Sequence, residues 1–281
     1  MVNPVHVKWS DNTSVFCIVD VRGVTQLHDV VFMVCHWSST ILRFNATTHQ
    51  RLTDVNVEDL KVPYDIAACD QTSHVYVADS EKCIWRVSAD GADIRHWLPK
   101  SPDYTFNPYA LSVTSSRLLV TSHITETMIG THVMLFDADG NELRDVDLPN
   151  FMGYTMTPWH VVESPTGTFI VSLVHIKLMQ YQVSEVNTGG EVLRQFPVSR
   201  LSSDVDLTLR VAVDSHGNIF VPDWDNRRIL LLDAHLTLRR VIIDKHQLND
   251  KRPQRLCYRE QSGQLLVGFV EVGVSVFDVV H

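Results

Sequence analysis

The stretch "HGNIFVPDWDNRRILLLD", residues 216–233, sets two short apolar runs between turn residues. Gly217-Asn218 is turn chemistry, "IFVPD" suits a strand and is too short for a helix, "WDNR" is a polar connection, and "ILLL" is a second strand. The same order of apolar run, polar loop and apolar run occurs six times. The copies are "VFMVCHWSSTILRF" from Val31, "VYVADSEKCIWRV" from Val75, "LLVTSHITETMIGTHVMLF" from Leu118, "FIVSLVHIKLMQYQV" from Phe169, "IFVPDWDNRRILLL" from Ile219 and "LLVGFVEVGVSVF" from Leu265. Their starts lie 44, 43, 51, 50 and 46 residues apart, a period that marks a repeat architecture.

The flanks of the copies recur too. Upstream lies a short apolar segment, often opened by Pro, as in "PYDIAACD", "PYALSV", "PWHVVE" and "PQRLCY"; downstream comes a small or acidic turn such as "SADGAD", "DADGNE" or "NTGGEV", then a further apolar stretch. Each unit therefore holds four short strands and no helical periodicity, which predicts an all-β fold, a six-bladed β-propeller of four-stranded blades. After Leu265 the chain has room for only two more strands, while "PVHVKW" and "SVFCIVD" are spare near the start. An N-terminal strand is expected to complete the last blade and remove the unpaired edges of an open ring, making residues 1–281 one domain.

On these residues the chain resembles the NHL-repeat family. "VAVDSHGNIFVPDWDNRRILLLD" (211–233) follows its pattern, with Asp214, the Gly217-Asn218 turn, Asp223, Asn226 and Arg227-Arg228 in place, and "DIAACDQTSHVYVADSEKCIWRV" (65–87) is a second good copy. The other four are looser. The resemblance implies a six-bladed propeller of the kind that ends tripartite-motif proteins and binds RNA or protein. It also brings in the amidating lyases, whose propeller holds a metal with histidines.

Composition is that of a globular chain: 281 residues, 44% hydrophobic and 20% charged. No apolar run approaches the roughly 20 residues of a membrane helix, and "MVNPVHVKWSDNTS" lacks the charged start and apolar core of a signal peptide. A cytoplasmic protein with no membrane partner is the expectation. Five cysteines (Cys17, Cys35, Cys69, Cys83, Cys257), never in CxxC spacing, fit reduced, buried thiols, and the sequons at Asn12 and Asn45 would matter only on a secreted chain. The net charge of -9 disfavours RNA as a partner. Residues 191–260 nevertheless hold 12 Lys and Arg against 10 Asp and Glu, while the rest hold 12 against 23, so a basic patch on an acidic body is allowed.

No GxSxG, HExxH, GxxxxGK[ST] or GxGxxG occurs, so the chain carries no strong catalytic signature. "DADGNE" (137–142) looks like a calcium loop, but its Gly comes too early and its slot is filled elsewhere by "SADGAD" and "NTGGEV", which reads as a strand-connecting turn. "DSHG" (214–217) sits in such a turn as well, and adjacent residues cannot form a catalytic triad. Asp79 and Asp223, at second-strand ends, are expected to accept bonds from the backbone of the loop that follows.

Because strands alternate in direction, starts of first strands and ends of second strands share one face. The starts supply Tyr64-Asp65, Tyr109-Ala110, Trp159-His160, Leu209-Arg210 and Gln254-Arg255. The second-strand ends supply His36-Trp37, Asp79-Ser80, Ser122-His123, the stretch up to His175, Asp223-Trp224 and Phe269-Val270. His36, Trp37, Tyr64, Asp65, Tyr109, His123, Trp159, His160, Arg210, Trp224 and Arg255 are the candidate ligand-binding residues. Several aromatics on the loops of one rim suggest a surface built to bury something else. The long loops of blades three and four add to that face.

The leading reading is a non-catalytic recognition propeller for a peptide, protein partner or small organic ligand, without a cofactor. An alternative places one divalent metal on His36, His123 and His160 in a lyase or hydrolase, with Arg210 or Arg255 holding a carboxylate and Tyr64 or Tyr109 donating a proton. A third stacks RNA bases on the aromatics and holds phosphates with Arg210, Arg227, Arg228 and Arg255.

Overall fold

The computed structural model describes residues 4–5, 21–98, 107–114, 117–123, 131–147, 156–175, 178–201, 209–269 and 273–279. Asn12, Cys17, the "SVFCIVD" segment before Val21, Val270 and most of the blade-three loop lie outside them, as do the side chains of Ser122 and His123.

Six four-stranded antiparallel sheets form a six-bladed β-propeller, with no helix among the described residues. After β1 (Pro4–Val5), blade 1 is β2 (Val21–Leu27), β3 (Val30–Cys35), β4 (Thr40–Asn45) and β5 (Val55–Asn56). Blade 2 is β6 (Pro63–Cys69), β7 (His74–Asp79), β8 (Cys83–Ser88) and β9 (Ile94–Leu98), and blade 3 is β10 (Pro108–Thr114), β11 (Arg117–His123), β12 (Thr131–Phe136) and β13 (Glu142–Asp147). Blade 4 is β14 (Met156–Glu163), β15 (Phe169–His175), β16 (Gln180–Val186) and β17 (Val192–Arg200). Blade 5 is β18 (Ala212–Val213), β19 (Ile219–Asp223), β20 (Arg228–Leu232) and β21 (Leu238–Ile243). Blade 6 is β22 (Pro253–Arg259), β23 (Gln264–Phe269) and β24 (Gly273–Asp278), completed by β1, where Pro4 lies opposite Phe277 and Val5 opposite Val276. The N-terminal strand thus closes the ring as the sequence predicted.

The apolar runs are continuous because a propeller blade is covered on both faces. Adjacent side chains of one strand enter different seams: on β19, Phe220 packs with Leu265 and Phe277 of blade 6, while Val221 packs with Tyr181 and Val183 of blade 4. Similar clusters fill the seams of blades 1 and 2, 2 and 3, and 3 and 4. The last seam, with Val31 and Met33 against Leu266 and Val276, joins blade 6 to blade 1. Outer strands meet water on one side, so β17 and β21 leave Leu193 and Leu238 exposed.

The connections use short side chains as local acceptors. Asp137 Oδ1 takes the backbone N–H groups of Asp139 (3.0 Å) and Asn141 (2.8 Å), and Asn187, Asp214 and Asp233 do the same two and four residues on. "DADGNE" is therefore one of a set of strand-connecting turns. Asp79 and Asp223 are fully buried acceptors, but their partners differ from expectation. Asp79 accepts from the N–H groups of Lys61 and Val62, ahead of its own blade, and from Trp85 Nε1. Asp223 accepts from the side chains of Asn226 (2.9 Å) and Arg228 (2.7 Å). Asp79 thus reaches a distant stretch of chain, while Asp223 bonds side chains of the loop that follows it and of the next strand's first residue.

Candidate functional site

Register confirms the shared face: Val21 lies opposite Cys35, Pro63 opposite Asp79, Pro108 opposite Ser122 and Pro253 opposite Phe269. The register shifts just after each of these starts, and again between Pro158 and His160 of β14. One extra residue is bulged out each time, and a bulge re-aims the side chains around it. The bulged residues are Arg22, Tyr64, Tyr109, Trp159 and Gln254, with Leu209 at the matching place before β18. The residues that follow them are Gly23, Asp65, Ala110, His160, Arg210 and Arg255, one from each blade.

These two sets divide the channel end by chemistry. Blades 5, 6 and 1 bring Arg210, Arg255 and Arg22, which are 3%, 1% and 4% exposed. Arg210 crosses the channel from blade 5 to the opposite blade 2, where Nη1 pairs with the Asp65 carboxylate and Nη2 donates to the Tyr64 carbonyl at 2.7 Å. Asp65 also accepts the N–H groups of Ile66 (2.7 Å) and Leu111 (2.6 Å), tying blade 2 to blade 3. Arg255 Nε donates to the Arg22 carbonyl, and Arg22 Nη2 donates to His36 Nδ1 at 3.1 Å. Blades 2, 3 and 4 instead bring aromatic rings, with Tyr64 and Tyr109 at 5.2 Å between centroids and Tyr109 edge-on to Trp159 at 5.3 Å.

Two glycines make room for this arrangement. A Cβ on Gly23 would lie 2.7 Å from the Ile66 nitrogen and 2.9 Å from Asp65 Oδ1, so blade 1 can place no side chain there. Gly268 lies beside Arg255, where a Cβ would meet the Arg255 Cβ at 3.0 Å.

The electrostatics follow from burial. Removal from water, then repulsion from Arg255 and Arg22, holds Arg210 well below the usual guanidinium range. Burial pushes His160 down to about 4, with Arg255 adding to the effect and a hydrogen bond to the Leu111 carbonyl opposing it. His160 is therefore neutral at pH 7, and its Nδ1 has no hydrogen-bond partner among the described residues.

The remaining candidates separate. Trp37 is 76% exposed, beside His36 at 5.0 Å. Trp224 is not on the rim: it is 4% exposed, packed in the seam of blades 4 and 5 with Arg252 over its ring at 5.4 Å. His175 is buried, and its Nδ1 accepts the Leu178 N–H at 3.1 Å. Of the three histidines expected around a metal, His123 has a side chain outside the described residues, and His36 and His160 sit among guanidiniums that repel a cation. Among the described residues no three His, Cys, Asp or Glu side chains gather closely enough to hold a metal ion.

Sequence reasoning missed Arg22. The signal was present, since "VRGV" places Arg22-Gly23 in the same slot as Tyr64-Asp65, but no Pro marks the start of β2. On the opposite face a cavity of about 560 Å³ is lined by Gln26, Asp29, Asp70, Arg259 and Glu260.

No family model matches the chain, and no curated protein does. Solved structures do. The chain is similar to a protein of unknown function from Bacteroides caccae (15% identity, TM-score 0.62, 85% of this chain and 81% of that one). It is similar to the Kuenenia stuttgartiensis hydrazine synthase (15%, TM-score 0.60, 96% and 80%) and to the WD40 β-propeller domain of Doa1 (12%, TM-score 0.59, 92% and 93%). At these identities the likeness is one of fold, and it places the chain among the β-propellers, a fold that commonly mediates binding.

Proposed function

We propose that this chain is a non-catalytic recognition propeller that takes a peptide, protein partner or small organic ligand at the channel end where its first strands begin. One observation carries the reading: at that end the bulged strand starts of blades 2 to 4 carry an aromatic arc from Tyr64 to Trp159, while the strand starts of blades 5, 6 and 1 carry the buried arginines Arg210, Arg255 and Arg22. A propeller needs no such asymmetry to stand, whereas a binding site with an apolar wall and a few convergent polar groups does. The exposed Trp37 extends the surface outward. The likeness of residues 211–233 to an NHL repeat supports a recognition role, and the free thiols of Cys69 and Cys257 suit a reducing compartment.

The test is a thermal-shift screen of metabolites and peptides on the wild type, followed by titration calorimetry of each hit against Trp37→Ala and Trp159→Leu. A ligand that binds the wild type and loses at least tenfold in affinity in either variant supports the reading. Turnover of a hit, or hits indifferent to both substitutions, would overturn it.

A further inference from the structure

The cavity on the opposite face lies where the first strands of blades 1, 2 and 6 end. Asp29 and Asp70, in the turns after β2 and β6, line it together with Cys257, Tyr258 and Arg259 from the end of β22 and Glu260 just beyond. Its volume of about 560 Å³ is in the range of small-molecule sites. Bonds between blades hold its walls. His28 Nε2 and Ser73 Oγ are hydrogen-bonded at 3.3 Å between blades 1 and 2. Glu260 accepts both the N–H (3.0 Å) and the hydroxyl (2.6 Å) of Ser215 from the blade-five turn, so its two oxygens already have donors.

The other charges on the lining are not matched. The Asp29 and Asp70 carboxylates take no hydrogen bond and no ion pair among the described residues. Arg259 donates from Nη1 to Gln264 Oε1, a neutral acceptor, at 2.7 Å. No carboxylate pairs with it among the described residues, and its Nε is buried there without a partner. One cavity thus presents charges of both signs, two carboxylates and a guanidinium, that the protein leaves unpaired. Groups of this kind are satisfied by a ligand that carries the complementary set.

That set is one carboxylate and two ammonium groups. The planar fork of a guanidinium suits a carboxylate, while an ammonium is a compact charge with three donors for carboxylate oxygens. Tyr258 stacks on Phe220 at 4.7 Å between centroids, which fixes its ring as a flat wall for the methylenes between the charges. Burial pushes the Cys257 thiol up to about 11, so at pH 7 it is protonated and is no nucleophile toward a bound molecule.

We propose that this cavity binds a free basic α-amino acid of the lysine type, its carboxylate on Arg259 and its two ammonium groups on Asp29 and Asp70. It is a second site, at the other end of the channel from Tyr64, Tyr109 and Trp159.

The experiment titrates L-lysine, L-norleucine and cadaverine into the purified chain at fixed ionic strength, with calorimetry as the readout. Norleucine lacks the side-chain ammonium and cadaverine the carboxylate. Lysine is expected to bind saturably, at least tenfold more tightly than either. Asp70→Asn is expected to weaken lysine at least tenfold, and Arg259→Met to bring it down to the level of cadaverine. Leu238→Ser, at an exposed position on the outer strand of blade 5, is expected to leave lysine binding unchanged. The comparison of the three ligands on the wild type needs no variant, and Asp70 is exposed, so an Arg259→Met protein that fails to fold does not remove the test. No saturable lysine binding, cadaverine or norleucine binding as tightly as lysine, or lysine affinity unchanged in Asp70→Asn each overturns the proposal.

Discussion

The two halves of the channel end are built on the same kind of strand start and are opposite in chemistry. Blades 2 to 4 present Tyr64, Tyr109 and Trp159 from the bulged position, while blades 5, 6 and 1 present guanidiniums. Across the ring Arg210 on blade 5 meets Asp65 on blade 2. The repeat fixes where a side chain stands. What stands there has been set blade by blade, and function lives in those departures.

The sharpest way to break this comparison is to remove the charge that joins the halves. Asp65→Asn leaves the Arg210 guanidinium buried without its carboxylate, and losing one partner of a buried pair costs about 3–5 kcal/mol. Urea unfolding of the variant is expected to show that loss, and adding Arg210→Met is expected to restore part of it. If the double variant is as unstable as the sum of the two singles, the pair across the channel is not a coupled unit.

His160 tests the same layer through pH. Its folded value of about 4 lies below the ordinary 6.5, so as pH falls the unfolded chain takes up the proton first. Stability present above pH 6.5 is lost as pH falls through the window from 6.5 to 4. At 1.36 kcal/mol per unit this reaches roughly 2 kcal/mol at pH 5. The stability gap between wild type and His160→Gln is therefore expected to narrow by that amount between pH 7 and pH 5. Parallel pH profiles would show that His160 is hydrated and protonated in the folded state.

Period, strand number and closure were legible in the sequence, because a strand covered on both faces is apolar along its whole length and its turns carry Asp, Asn and Gly at fixed offsets. The shared face was legible too, from strand alternation alone. The inward turn of Arg210, Arg255 and Asp65 was not: a bulge is a register shift between two strands, and no single strand's sequence states it. Arg22 escaped for want of a Pro, and Trp224 was placed on a loop although "PDWDN" gives no sign that its indole folds back into the seam with Tyr181. Burial of this kind depends on the neighbouring blade.

Smaller effects separate packing from binding on the aromatic side. Tyr109→Leu keeps most of the apolar volume and removes two ring contacts, which are worth about 1–3 kcal/mol together, so its cost in urea should fall below that of Asp65→Asn. Trp37, on blade 1 of the cationic half, is the extreme of exposure. Its φ of 58° puts a large side chain in the left-handed region, at 76% exposure. Lys82 (62°), Met179 (49°) and Arg227 (51°) hold the same conformation where second and third strands of blades 2, 4 and 5 connect. The loop therefore dictates the dihedral, but nothing in the loop calls for an indole. Trp37→Gly removes the left-handed penalty, and because glycine gives back part of the gain through its freer unfolded chain, the net change is a stabilisation of at most about 1 kcal/mol. The same variant is expected to lose ligand affinity. A measurable destabilisation instead would mean that the ring packs on the rim as a structural cap, and the aromatic part of the proposed binding surface would shrink to the half of blades 2 to 4, Tyr64, Tyr109 and Trp159.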